Sequence, residues 1–346
     1  MESIVVNAPC VVKLLGEHAV VHGKTAVAVA LKLYATASFI NSNQKEGLEI
    51  ELKDYNKKIL VEKVMLNELS ELYEKRANLD EYIKKYSQID ETMLPYLTIA
   101  ATFYKKYGAG AMPNNGCIVI SSKIPKQSGL ASSASCYVAF TMLLCKLANI
   151  NLNDTDAIEL ARDGERVSHR NEGAGRIDVS TAYYGGYVSF SNQKGFIRHY
   201  FNTSPKFLII NTGPKKPTSQ TVGRVTELLK ENKDHTEKIL EEINECSIRG
   251  LEALANNRMK ELGTLMYKDH ELLKQLEVSS KGLDNAVDIA KKHNAHGAKL
   301  SGGGGGGIAI ALLEEYDKKL EEELENEGFS CIKADISEKG YEMIKV

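Results

Sequence analysis

Along the first forty residues, short apolar runs built from β-branched and small side chains are broken by single polar positions. The runs "SIVV" (3–6), "VVKLL" (11–15) and "TAVAVALKLYATASF" (25–39) each predict a strand, with Gly23 as a turn signal before the third. "GLEIELKD" (47–54) alternates apolar with polar residues and predicts another. Between 62 and 88 the apolar positions recur at helical spacing among charges. "YLTIAATFYKKYG" (96–108) predicts a second helix stopped by Gly108, and "GCIVISS" (116–122) returns to strand. "ASCYVAFTMLLCKLANI" (134–150) is apolar around most of a helical circumference, the pattern of a buried helix. A helix over 154–169 and the strands "GGYVSFS" (185–191) and "KFLIINT" (206–212) follow.

The second half is mostly helical, with periodic segments at 218–232, 236–256, 258–276 and 279–293. Six glycines (302–307) lead into the apolar strand "IAIALL" (308–313), a charged helix and two closing strands, "SCIKADI" (330–336) and "YEMIKV" (341–346). Both halves read as α+β. The polar segment 191–205 marks a boundary, which gives domains 1–200 and 201–346.

Composition narrows the function classes. The chain has 346 residues, 43% hydrophobic and 26% charged, with a net charge of −2. No overall positive excess is available for nucleic acid or acidic lipid, so neither is expected as a partner. Six cysteines lie scattered without metal-binding spacing and read as buried free thiols. No basic segment followed by an apolar stretch opens the chain, and no run of about 18 apolar residues could span a bilayer, so a cytoplasmic protein is expected.

Four segments carry candidate chemistry. The glycine run "SGGGGGGIAIALL" passes straight into a core strand, unlike a polar tether. The glycines therefore sit against folded structure, either touching a ligand or making a turn. No Lys-Ser/Thr follows them, which excludes a Walker A loop. "IPKQSGLASSAS" (124–135) puts a glycine and two hydroxyls before the long helix, whose free N–H groups and positive dipole end attract phosphate; Ser132 or Ser133 could equally cap that helix. "APCVVKLLGEHAVVHG" (8–23) breaks a strand at Gly16 and presents Glu17 and His18. "GERVSHRNEGAGRIDVSTAYYGG" (164–186) offers Glu165 on a helix and Asp178 beyond a glycine-containing turn.

The strand-glycine motif, "GLASSAS" and "KLSGGGGGG", in that order, resemble the three signature blocks of the GHMP kinase superfamily, and "GEHAVVHG" resembles its mevalonate kinase family. The match runs from about Val6 to Ile310. The resemblance implies a two-domain α+β fold, with a left-handed βαβ unit in the N-terminal domain, an exception to the usual handedness, and a ferredoxin-like C-terminal domain. It implies ATP- and Mg²⁺-dependent phosphorylation of the primary hydroxyl of mevalonate. The rivals are a related phosphomevalonate or sugar kinase and a non-catalytic nucleotide-binding sensor. Relatives of this kind are often dimers, so a homodimer is an expectation.

Carried over residue by residue, the resemblance places the ATP phosphates on the loop Pro125, Gly129, Leu130, Ala131, Ser132, Ser133, Ala134 and Ser135. It places Mg²⁺ on Ser133 and Glu165 and makes Asp178 the catalytic aspartate, since an ionised carboxylate can accept the hydroxyl proton. The lysine usual in the first block is missing: Val11 stands there, with Cys10 in place of a glycine. Lys13, two residues on and so on the same strand face, is read as its replacement and as the partner of Asp178. Glu17, His18, Thr218, Ser301 and Gly302 are expected against substrate, with Lys215 or Lys216 pairing an anion. The stretch from Glu165 to Asp178 is two residues longer than in animal members. Residues 54–95 match no family pattern and are read as a lid or an adenine-side segment.

Overall fold

A computed structural model describes residues 4–41, 47–113, 115–125, 129–203, 205–214 and 216–345. Two sheets organise the chain. The larger has strands β1 (Ile4–Leu15), β2 (Ala26–Ile40), β3 (Gly47–Leu52), β4 (Lys57–Val61), β5 (Asn115–Ser122), β6 (Tyr187–Ser191), β7 (Gly195–His199) and β12 (Glu342–Lys345). Its main path runs β12-β1-β2-β5-β3-β4, and β6 joins β2 to β7. The smaller is antiparallel, order β11-β8-β10-β9, from β8 (Lys206–Asn211), β9 (Gly297–Ser301), β10 (Ile308–Leu313) and β11 (Ser330–Ala334).

Helices α1 (Lys63–Lys75), α2 (Leu79–Lys85) and α3 (Leu94–Tyr107) form the crossover between the parallel neighbours β3 and β5, which makes the βαβ unit. Helix α4 (Ser132–Leu147) is buried at every position from Ala134 to Cys145. It lies between β1 and β2 on one side and α3 and α5 (Asp154–His169) on the other. Helix α6 (Arg176–Tyr184) then packs on β1 and α4. In the smaller unit, β8 leads through α7 (Thr218–Glu231), α8 (Lys233–Ala255), α9 (Met259–Gln275) and α10 (Lys281–Lys292) to β9. After β10, α11 (Lys318–Asn326) leads to β11. Counting β8, β9, β10 and β11 as first to fourth, the spatial order 4-1-3-2 is that of a ferredoxin-like sheet.

Several expectations change. The two opening strands are one, β1, with register shifts at Pro9/Cys10 and Lys13/Leu15. Bulges leave a strand paired while re-aiming its side chains. The 62–88 segment is two helices, because Asn78 caps α2 by accepting from the Glu81 N–H. Part of the 54–95 segment is the edge strand β4, and the polar segment 191–205 contains β7. The closing strands separate: β11 joins the small sheet, whereas β12 pairs with β1, Ile4 opposite Lys345. We keep a division near residue 200 as a proposal, with β12 lying across it. All six cysteines are free, four of them buried, and burial pushes the Cys10 and Cys136 thiols up to about 12.

Where α9 crosses β9 the two backbones touch. A Cβ on Gly263 would lie 2.0 Å from the His296 carbonyl oxygen, and one on Gly297 would lie 2.3 Å from Gly263 Cα. Gly263→Ala should therefore lower stability by about 3 kcal/mol or more. Urea unfolding monitored by circular dichroism tests this, and an unchanged midpoint would refute the close packing.

Candidate active site

The site is built where the end of β1 meets the loop after β9 and the first turns of α4 and α6. Lys13 occupies the second bulge of β1. Its Nζ donates to both carboxylate oxygens of Asp178, at 2.8 and 2.9 Å. Asp178 stands in the first turn of α6, a helix that the β-branched sequence "RIDVSTAYY" did not announce. Burial opposes a charged Lys13, but the charge and hydrogen bonds of Asp178, with further help from Glu17 and Glu165, outweigh it and hold the ammonium above its ordinary range.

The phosphate-loop candidate enters α4 through Gly129 (φ 96°) and Ala131, which is left-handed at φ 49° and ψ 39°. An L-residue held there costs roughly 1 kcal/mol. The first intrahelical bond is Ser135 N–H to the Ala131 carbonyl, so the N–H groups of Ser132, Ser133 and Ala134 precede the helical ladder, as an anion site requires. The N-cap position is Ala131, without a side-chain cap. Ser132 instead lies 3.3 Å from the Ser122 hydroxyl. Ser133 and Pro125 are half-buried. Two members of the expected loop are anchors. Leu130 is buried and its carbonyl accepts from the Val11 N–H at 3.2 Å. Ser135, expected against ATP, is fully buried and donates to the Pro9 carbonyl at 2.7 Å, so its hydroxyl joins α4 to β1.

Glu165 lies on α5, nearly fully buried; His169 Nε2 is 3.3 Å from its Oε2, while its Oε1 is buried without a hydrogen-bond partner among the described residues. The turn between Glu165 and Asp178 packs on the Glu165 stem, because a Cβ on Gly175 would lie 2.6 Å from Glu165 Cγ. Arg162 secures the same turn, donating to the carbonyls of Ala174 at 3.1 Å and Glu172 at 3.2 Å.

The glycine run forms the opposite wall. Gly302, Gly304, Gly305, Gly306 and Gly307 all have φ between 70° and 117°, a region unfavourable to other residues. A Cβ on Gly302 would lie 3.4 Å from the Gly129 carbonyl oxygen, one on Gly303 would lie 2.8 Å from Thr218 Oγ1, and one on Gly305 would lie 2.9 Å from Lys216 Cβ. Thr218 thus opens α7 against the glycine wall. Lys216 donates its N–H to the Gly305 carbonyl at 3.1 Å and is exposed. Lys215 lies outside the described residues.

Three residues expected against substrate have protein partners. Ser301 Oγ accepts from the Lys13 N–H and donates to the Lys13 carbonyl, both at 2.9 Å, so its hydroxyl clasps the β1 backbone. Glu17 is 1% exposed and its Oε1 accepts from Lys299. His18 is buried at φ 60°, and its Nε2 donates to the Gly303 carbonyl at 3.0 Å. Sequence reasoning missed Lys299 and the buried Asp269 and His270 around it. The available signal was a lysine within the otherwise apolar strand "GAKLS", directly before the glycines.

Burial pushes His18 down to about 4 from an ordinary 6.5, the Gly303 bond opposing only part of the shift. A base depressed in the folded state contributes stability that is complete above its unfolded value and is lost as pH falls toward the folded one. His18 should therefore cost about 3 kcal/mol of stability as pH drops from about 6.5 to about 4. His18→Asn, which tolerates positive φ, should flatten that part of the pH–melting curve. An unchanged acid limb would contradict this.

Comparison with known proteins places the chain in a family. The model described as "GHMP kinases N terminal domain" matches residues 95–186, and that described as "GHMP kinases C terminal" matches 251–330. The mevalonate kinase of Methanocaldococcus jannaschii is 34% identical over 340 residues, covering 95% of this chain and 99% of that protein. That of Thermococcus onnurineus is 29% identical, covering 99% of each. The crystal structure of the Methanococcus jannaschii mevalonate kinase superposes with a TM-score of 0.78 at 29% identity, covering 96% of this chain and 98% of that one. With relatives aligned end to end and both domain models matched, the chain belongs to the GHMP kinase superfamily, within its mevalonate kinase family.

Proposed function

We propose that the protein transfers the γ-phosphoryl group of ATP to the primary hydroxyl of mevalonate. The observation that carries this reading is the Lys13–Asp178 ion pair, with Nζ within 2.9 Å of both carboxylate oxygens, set between the first turn of α4 and the glycine wall. Phosphoryl transfer to an alcohol needs alignment, stabilisation of spreading negative charge and a destination for the hydroxyl proton.

In this reading the N–H groups of Ser132, Ser133 and Ala134 hold the triphosphate. The alcohol lies between Asp178 and the γ-phosphorus. As its oxygen bonds to phosphorus, the bond to the β–γ bridging oxygen breaks, ADP leaves, and the hydroxyl proton passes to Asp178. Lys13 orients the carboxylate while donating toward the transferring oxygens, and its raised pKa keeps it cationic throughout. Thr218 and the partly exposed Gly302 line the substrate side.

The residues present suit Mg²⁺. Glu165 Oε1 is a buried carboxylate oxygen without a hydrogen-bond partner among the described residues. Among the described residues no three His, Cys, Asp or Glu converge on a metal, so a cation here would rest on one carboxylate, the Ser133 hydroxyl and nucleotide oxygens, an oxygen set typical of Mg²⁺. When bound, the ion supplies positive charge against the phosphates.

A coupled ATP-consumption assay over mevalonate, phosphomevalonate, galactose and homoserine tests the reading. Mevalonate should be turned over preferentially. Preference for another alcohol would favour a different kinase, and nucleotide binding without turnover would favour a sensor. Asp178→Asn should lower kcat by about 100-fold or more while ATP binding stays within about threefold. Unimpaired turnover in that variant would remove Asp178 as the base. Glu165→Gln should raise the Mg²⁺ concentration for half-maximal rate by about tenfold or more.

A further inference from the structure

The buried cluster of Glu17, Lys299 and Asp269 stands outside the transfer chemistry, and stability alone gives no reason for it. Lys299 and Asp269 are fully buried and Glu17 is 1% exposed. The ammonium donates to Glu17 Oε1 and to the Leu300 carbonyl at 2.6 Å, with Asp269 Oδ2 at 3.4 Å. An apolar side chain of similar volume would serve the core as well or better, because desolvating these ions offsets most of their attraction. The two carboxylates come from segments far apart in the chain: Glu17 from the corner after β1 and Asp269 from α9.

That corner begins with Lys13 and ends with His18, and three links tie it to β9 and the glycine wall. Ser301 Oγ clasps the Lys13 backbone, Lys299 holds the Glu17 carboxylate, and His18 Nε2 reaches the Gly303 carbonyl. The first and third are neutral hydrogen bonds, each contributing roughly 1 kcal/mol per bond. The middle link is a charged contact in a dry environment and is the strongest constraint on the corner.

We propose that Lys299 is a positioning residue for phosphoryl transfer: through Glu17 it holds the corner that sets Lys13 against Asp178 and shapes the glycine wall. The inference rests on the phosphotransfer reading above.

Charged and titratable groups facing the cluster are Lys13 and His18 from the corner, His270 from α9, Asp284 from α10 and the Cys246 thiol from α8. Burial raises the Asp269 carboxyl above its ordinary range, with Lys299 opposing and Glu17 adding to the shift. His270, pushed down to about 4 by burial, and Cys246, raised to about 11, are neutral near pH 7. Without the ammonium, two buried carboxyls would face each other with no counter-charge, a state that worsens as pH rises.

The test compares Glu17→Gln, Lys299→Met and Asp269→Asn with wild type in kcat, KM for ATP and mevalonate, and melting temperature. Glu17→Gln should lower kcat by about tenfold or more with the KM for ATP within about threefold, since the α4 loop is untouched. Lys299→Met should lose more, because it leaves two buried carboxyls without a counter-charge. Asp269→Asn, which leaves the Lys299–Glu17 contact in place, should keep kcat within about threefold. Wild-type kcat in Glu17→Gln, or equal losses in Glu17→Gln and Asp269→Asn, would overturn the proposal and leave a merely structural cluster. If Lys299→Met does not fold, the contrast between Glu17→Gln and Asp269→Asn decides alone. If the wild-type protein does not turn over mevalonate, the phosphotransfer reading fails separately. The positioning claim is then read from a crystal structure of Glu17→Gln. There, displacement of Lys13 Nζ from Asp178 by more than about 1 Å, enough to impair catalysis, supports it, and an unmoved ion pair overturns it.

Discussion

The backbone of Gly129 lies beside the backbone of Ser301 and Gly302, and both glycines hold positive φ, 96° and 90°, which a side chain would strain. That contact brings the entry of α4 to the loop after β9, and so joins the two sheets at the point where both present free backbone. With it in place, the Ser301 hydroxyl can reach the Lys13 backbone, and Lys13 can reach Asp178 on α6. A methyl group at Gly302 would strain a backbone held at φ 90°. The glycine run is therefore neither tether nor ornament, but the surface that lets two structural units share one cleft.

The site stores unfavourable features that the surrounding fold sustains. Ala131 and His18 are held at positive φ, Glu165 keeps a buried oxygen without a hydrogen-bond partner among the described residues, and one lysine is buried between two carboxylates. Each is costly alone, and such features concentrate where binding or catalysis needs a preset geometry. They fall on four segments that converge on one place: the end of β1, the start of α4, the middle of α5 and the strand before the glycines. Helix α4, buried at twelve consecutive positions, is the rigid element that makes this affordable.

Charge is arranged in two layers. Nearest the cleft, Lys13 and Asp178 remain partly accessible, at 20% and 19% side-chain exposure, so their partners can change when an anionic ligand arrives. Deeper, Lys299 with Glu17 and Asp269 is closed to water and cannot rearrange without breaking contacts. The outer pair is suited to chemistry and the inner cluster to holding the frame.

The sequence by itself determined most element types and the blocks that meet in the cleft, and its resemblance to a known superfamily implied the ferredoxin-like second unit. Periodicity reports which face of an element is buried, and glycine or hydroxyl clusters report where the backbone is exposed to a partner. Only the tertiary structure decided what each group touches. The Ser301 hydroxyl bonds to a backbone 288 residues away, the Ser135 hydroxyl turns to β1, Glu17 turns inward to Lys299, and β12 returns to β1 across the chain. Helix α6 and strand β7 form against local β-branched or polar signals, because neighbours in the fold complete their hydrogen bonding and burial. Long-range pairing of this kind leaves no local periodicity. Hydrogen-bond partners depend on distances that exist only once the two sheets have closed on each other.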